Sequence, residues 1–93
     1  MVIGLLQLEL YLNETNSLKQ KRSVLSHLKT QIQKKFNVSF SETGMHEKWG
    51  RAEIAMTTAS MDSKLVNQMF SAIEKQVEMF PAVRITHRHM EIL

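Results

Sequence analysis

Cysteine is absent from these 93 residues, which excludes disulfides and thiolate-bound zinc. Proline occurs once and glycine three times, and no Gly-rich phosphate loop, nucleophile elbow or paired-carboxylate motif is present. Aromatic side chains are only 6% of the chain, and no aromatic-rich RNP stretch or Gly-x-x-Gly clamp of an RNA-binding module can be found. The opening Met-Val-Ile-Gly-Leu-Leu has no basic leader and turns polar at Gln7 and Glu9, so it reads as neither a signal peptide nor a membrane span. Acidic residues are also missing between Thr15 and Ser41, a stretch that holds Lys19, Lys21, Arg22, Lys29, Lys34 and Lys35.

What is there fits an ordinary globular chain, with 43% hydrophobic and 23% charged residues. A chain of this length buries roughly 60–70% of the surface its unfolded form exposes, enough for one domain over residues 1–93 and not for two. A soluble cytoplasmic protein with no membrane contact is the expectation. The net charge of +3 lies entirely in the first half, because from Glu47 onward acids and bases balance. Such one-sidedness fits an anionic partner and fits a solvated helix equally.

Val2, Leu6, Leu8, Leu10 and Leu12 alternate with Ile3, Leu5, Gln7, Glu9 and Tyr11, the period of a strand whose second face is itself partly apolar. Asn13-Glu14-Thr15-Asn16 closes it. Asn16 or Ser17 is placed to cap a helix in which Leu18, Leu25, Leu28, Ile32 and Phe36 form one buried stripe to about Lys35. Val38 and Phe40 alternate with Ser39 and Ser41 in a short second strand, and residues 43–50 form a loop containing Gly44 and Gly50. Ala52, Ile54, Met56 and Thr58 mark a third strand. Ser60 or Asp62 caps a second helix with Val66, Phe70, Ile73, Val77 and Phe80 on one face, which Pro81 stops. Val83 to Leu93 is a last strand of weak alternation. The order predicts an α+β fold, a ferredoxin-like βαββαβ sandwich: a four-stranded antiparallel sheet with two helices on one face.

Chemistry is sparse. Acylphosphatases share this arrangement but need an arginine-bearing phosphate loop after the first strand, where this chain has a loop whose only charge is Glu14. His87 and His89 share a strand face, but two ligands fall short of a metal site, and no metal or cofactor is expected. The chain reads as a non-enzyme. Lys19, Arg22, Ser26, Lys29 and Gln33 fall along one side of the first helix, and cations and donors in a row are what phosphate contact requires. Backbone contact along this helix, rather than base stacking on the sheet, is the predicted mode. Trp49, beside Arg51, is either a lid folded onto the core or an exposed anchor for a partner.

Ser17-Leu18-Lys19-Gln20-Lys21-Arg22 resembles the signature of the YlxP-like family of small bacterial proteins. Phe36-Asn37-Val38-Ser39, Glu42 and Trp49-x-Arg51-Ala52-Glu53 resemble its further landmarks in order, so the likeness spans the chain. The loop departs from it: Met45-His46-Glu47-Lys48 replaces a stretch that usually carries an aspartate, and Gly50 stands where glutamine is common. The resemblance implies a ferredoxin-like fold without an assigned activity. Genes of the family often neighbour those of translation initiation and ribosome maturation factors, which implies a ribosome-linked role by association.

Two expectations follow. In the first, the protein is an accessory factor that docks on rRNA or a pre-ribosomal particle through Lys19, Lys21, Arg22 and Lys29, with Trp49 and Arg51 as a second contact. In the second, it is a protein–protein module or homodimer that uses the open sheet face or an edge strand.

Overall fold

The alternation of the first twelve residues becomes the central strand of the molecule. The computed structural model describes residues 1–93, in the order β1 (Val2–Leu12), α1 (Leu18–Lys35), β2 (Ser39–Gly44), β3 (Arg51–Ser60), α2 (Ser63–Glu78) and β4 (Val83–Ile92). The strands form one antiparallel sheet in the order β2-β3-β1-β4. Leu6, Leu8, Leu10 and Leu12 of β1 and Ala52, Ile54 and Met56 of β3 face the helices in one core, while Ile3, Gln7, Glu9 and Tyr11 face away. This is the ferredoxin-like βαββαβ sandwich that the element order predicts. No helix is long and apolar enough to cross a membrane.

Each helix starts where its cap residue dictates. The Ser17 hydroxyl accepts from the orphan Gln20 N–H at 3.1 Å, and the Gln20 side chain reaches back to accept from the Asn16 N–H, just before the cap, at 2.7 Å. Asp62 does the same for α2 through the Lys64 N–H at 2.8 Å. α2 then buries Val66, Phe70, Ile73 and Val77, each contributing roughly 1.5–3 kcal/mol by leaving water. Its close seat on β1 explains the gap in the β1 leucine series. A Cβ at Gly4 would press into Val66 Cγ1 and lie 3.0 Å from the Phe70 ring, so any larger residue must displace side chains of α2.

The weak alternation of β4 has a physical cause. Glu9 pairs with His87 but Leu10 pairs with Ile85, so Thr86 is an extra residue, and its hydroxyl donates to the Glu9 carbonyl at 3.1 Å. This bulge flips the phase. Val83 and Ile85 face the core before it; Arg88, Met90 and Ile92 do so after it. Arg88 therefore reaches under α2 and grips Glu74 with two parallel hydrogen bonds. That bond, with charge attraction from the same carboxylate, holds the guanidinium above its usual pKa against partial burial. In β2 the strand runs to Gly44, further than the loop expectation allowed, with a second irregularity between Glu42 and Gly44. The left-handed residue of the following turn is not a glycine but Met45, with φ of 60°.

Candidate nucleic-acid interface

A helix N-terminus is electropositive before any side chain is added. The first turn of α1 contains no acid and instead carries Lys19, a choice that the helix dipole disfavours by about 0.3–1 kcal/mol at an exposed site. One turn further, Arg22 opens a row with Ser26 and Lys29 along the edge of the helix. These three line a groove of about 440 Å³ whose other wall is Phe40, Ser41 and Glu42 of β2. Lys19, Arg22 and Lys29 are all exposed, and no ion pair within the chain engages any of them. Gln33, expected on the same side, is spent differently, donating to the Val38 carbonyl at 2.9 Å and tying the helix end to β2.

Lys21 corrects the expectation. Expected among the phosphate-contacting cations, it is instead 1% exposed and points inward. Its ammonium donates to the carbonyls of Met45 and Lys48 at 2.6 and 2.7 Å and lies 2.9 Å from Glu42 Oε2. That buried oxygen has this ion pair and no hydrogen bond of its own. The reason is helical phase: Lys21, Leu25, Leu28 and Ile32 all lie on the buried side of α1. The seven-residue gap between Leu18 and Leu25 in the apolar stripe was the available signal, since Lys21 falls inside it on the same face. A charge there survives only with partners, and the turn between β2 and β3 supplies them.

The clamp has two consequences. It neutralises Glu42, so the groove beside Arg22 and Lys29 is not made acidic by its own wall. It also holds the turn that presents Trp49. The Lys48 carbonyl before Trp49 is fixed by Lys21, and the Gly50 carbonyl after it accepts from the Leu12 N–H at 2.9 Å. Trp49 is 54% exposed, so it is not a lid folded onto the core. Arg51 lies on the open face, where its Nη1 donates to Glu9 Oε1 at 2.7 Å. Lys19, Arg22 and Lys29 are thus brought together on α1, whereas Arg51 belongs to the other side of the sheet.

His87 and His89 also face the open side. His87 Nδ1 lies 3.4 Å from Glu9 and His89 Nε2 lies 2.7 Å from Glu91, so each histidine is matched to a carboxylate. The largest concavity, about 820 Å³, is an open groove between the helices in which His27 meets the edge of Phe80. Its ionisable side chains are His27, Lys35 and Lys75, with no carboxylate or nucleophile beside them.

Known proteins resemble this chain at two levels. The family described as "Protein of unknown function (DUF503)" matches residues 3–90. The "Uncharacterized protein YlxP" of Bacillus subtilis (strain 168) is 31% identical over 85 residues, which cover 91% of this chain and 92% of that protein. Among solved structures, a de novo designed protein with a ferredoxin fold superposes with a TM-score of 0.55 at 12% identity, over 100% of this chain and 84% of its own. SnoaB, a cofactor-independent oxygenase from Streptomyces nogalater, gives 0.52 at 5% identity, over 99% and 90%. At such identities the structural likeness is one of fold alone.

Proposed function

We propose that this protein, which belongs to the DUF503 family of unknown function and is YlxP-like, is a non-enzymatic accessory factor that docks on rRNA or a pre-ribosomal particle. The basic side of α1 is the contact. One observation carries the reading: Lys19, Arg22 and Lys29 stand exposed and unpaired on α1, Arg22 and Lys29 line one groove, and Lys19 sits where the helix dipole opposes it. Lys34 and Lys35 need no such account, since cations are favourable at a helix C-terminus. The ribosomal destination rests on the gene neighbourhood that the family resemblance implies.

The test is binding to small- and large-subunit rRNA fragments across a salt series. Affinity is expected to fall steeply with salt, and each of Lys19→Glu, Arg22→Glu and Lys29→Glu to reduce the log–log slope by about one. Equal binding by the triple variant would remove α1 from the contact.

A homodimer through the open sheet face is the second reading, favoured by an apolar corner in which Ile3 is 40% exposed beside Leu5 and Leu93. Glu9, Glu53, His87 and His89 fill the middle of the same face, so the corner is small. Edge-strand pairing is less favoured, because both edge strands carry a register irregularity. Light scattering after size exclusion decides: a monomer at every concentration disposes of the dimer, and Leu5→Lys would split it.

A further inference from the structure

The chain has six aromatic residues, and they divide by chemistry. Phe40 and Phe70 are buried and Phe36 and Phe80 half-buried, all packed in or against the core. The two with polar handles, Tyr11 and Trp49, are the two on the surface, at 37% and 54% exposure. Trp49 lies in the turn at the end of the sheet where Tyr11 sits. Tyr11 pairs with Arg51, and the next step joins Leu12 to Gly50, the residue after Trp49.

Tyr11 is flanked on both sides. Arg51 on β3 and Arg84 on β4 stand opposite it in register, so Arg51, Tyr11 and Arg84 form a row across three strands. With strands about 4.8 Å apart, the row spans roughly 10 Å. The Arg84 guanidinium lies 5.1 Å from the Tyr11 ring centroid and makes no ion pair. Arg51 gives Glu9 one hydrogen bond and keeps donors free on a side chain that is 43% exposed. Trp49 is held out by anchored carbonyls on either side, which lowers the entropy lost when something packs on it.

We propose that this end of the sheet, with the turn beside it, is a stacking platform for single-stranded RNA, with Tyr11 and Trp49 taking bases and Arg84 and Arg51 the adjoining phosphates. It rests on the RNA reading above and adds the form of the RNA, with base stacking at the sheet beside the backbone contact along α1. Every base has a π-face, so such a platform binds with little sequence preference, and an arginine beside a ring supports both stacking and phosphate contact. A duplex keeps its bases stacked on each other and offers this platform nothing but backbone.

Trp49 is the only tryptophan, so its emission reports the site directly. The protein is titrated with a single strand of about twelve nucleotides lacking self-complementarity, and with an A-form duplex of equal length. The single strand is expected to quench Trp49, and Tyr11→Leu to weaken single-strand binding by about ten-fold while leaving the duplex unaffected. Lys19→Glu with Arg22→Glu weakens both. Unaltered single-strand affinity in Tyr11→Leu, with melting temperature unchanged, overturns the platform, as does strand binding without any change in Trp49 emission. Duplex binding without single-strand binding overturns the platform and leaves the α1 contact standing. If neither RNA binds at low salt, both readings fall.

Discussion

The two helices cover the same sheet face but divide their surfaces differently. α2 places Val66, Phe70, Ile73 and Val77 against the sheet, fits its first turns over the missing side chain of Gly4, and uses Glu74 to hold Arg88. α1 buries Leu25, Leu28 and Ile32 but gives the fourth buried place, in its first turns, to Lys21. Its remaining cations are free. The difference teaches that α2 is committed to the fold, whereas the N-terminal half of α1 trades core for a clamp on a distant turn and leaves charge facing outward.

The largest effect should come from α2. Phe70→Ala removes a fully buried ring between α2 and β1 and is expected to cost about 3–5 kcal/mol in denaturant unfolding. Next comes the clamp. Lys21→Ala strands the Glu42 carboxylate and leaves two turn carbonyls without their donor, at about 3 kcal/mol. Removing Glu42 as well should recover part of that loss, and a double-mutant cycle measures the coupling. A purely additive cycle would mean that the pair does not act as a unit.

Gly4→Ala sharpens the comparison from the other side. The added methyl pushes α2 off the sheet, at about 1–3 kcal/mol by thermal melting, whereas alanine at an exposed α1 position such as Ser23 leaves stability nearly unchanged. The smallest effect has the opposite sign. Lys19→Glu places an acid at the N-terminus of α1 and should stabilise the protein by a few tenths of a kcal/mol, while weakening RNA binding. A variant that is more stable and binds less well would separate function from fold at that residue. Lower stability would show that Lys19 serves the fold after all.

Lys21 shows how far the residues alone reach. Its place in the seven-residue gap of the α1 stripe was legible, and with it the inward direction. Its partners were not, because the Met45 and Lys48 carbonyls and the Glu42 carboxylate lie more than twenty residues away. Trp49 is similar. The loop around it was evident from Gly44 and Gly50, but its exposure depends on two anchors, one from α1 and one from β1. In the sequence Arg84 is one charge in a weakly alternating strand, and only the pairing of β4 with β1 sets it beside Tyr11.

The amino-acid sequence by itself determined the order of elements and the phase of β1 and both helices, and narrowed each cap to two residues, Asn16 or Ser17 and Ser60 or Asp62. These rest on periods of 2 and 3.6 residues and on hydrogen bonds spanning three residues or fewer, which any short window of the chain contains. Only the tertiary structure decided that Lys21 is a buried clamp, that Thr86 reverses the faces of β4, and that Arg51, Tyr11 and Arg84 form one row. Each of these depends on partners from separate strands and turns, and they meet only when the sheet closes its ladder and α1 settles over it.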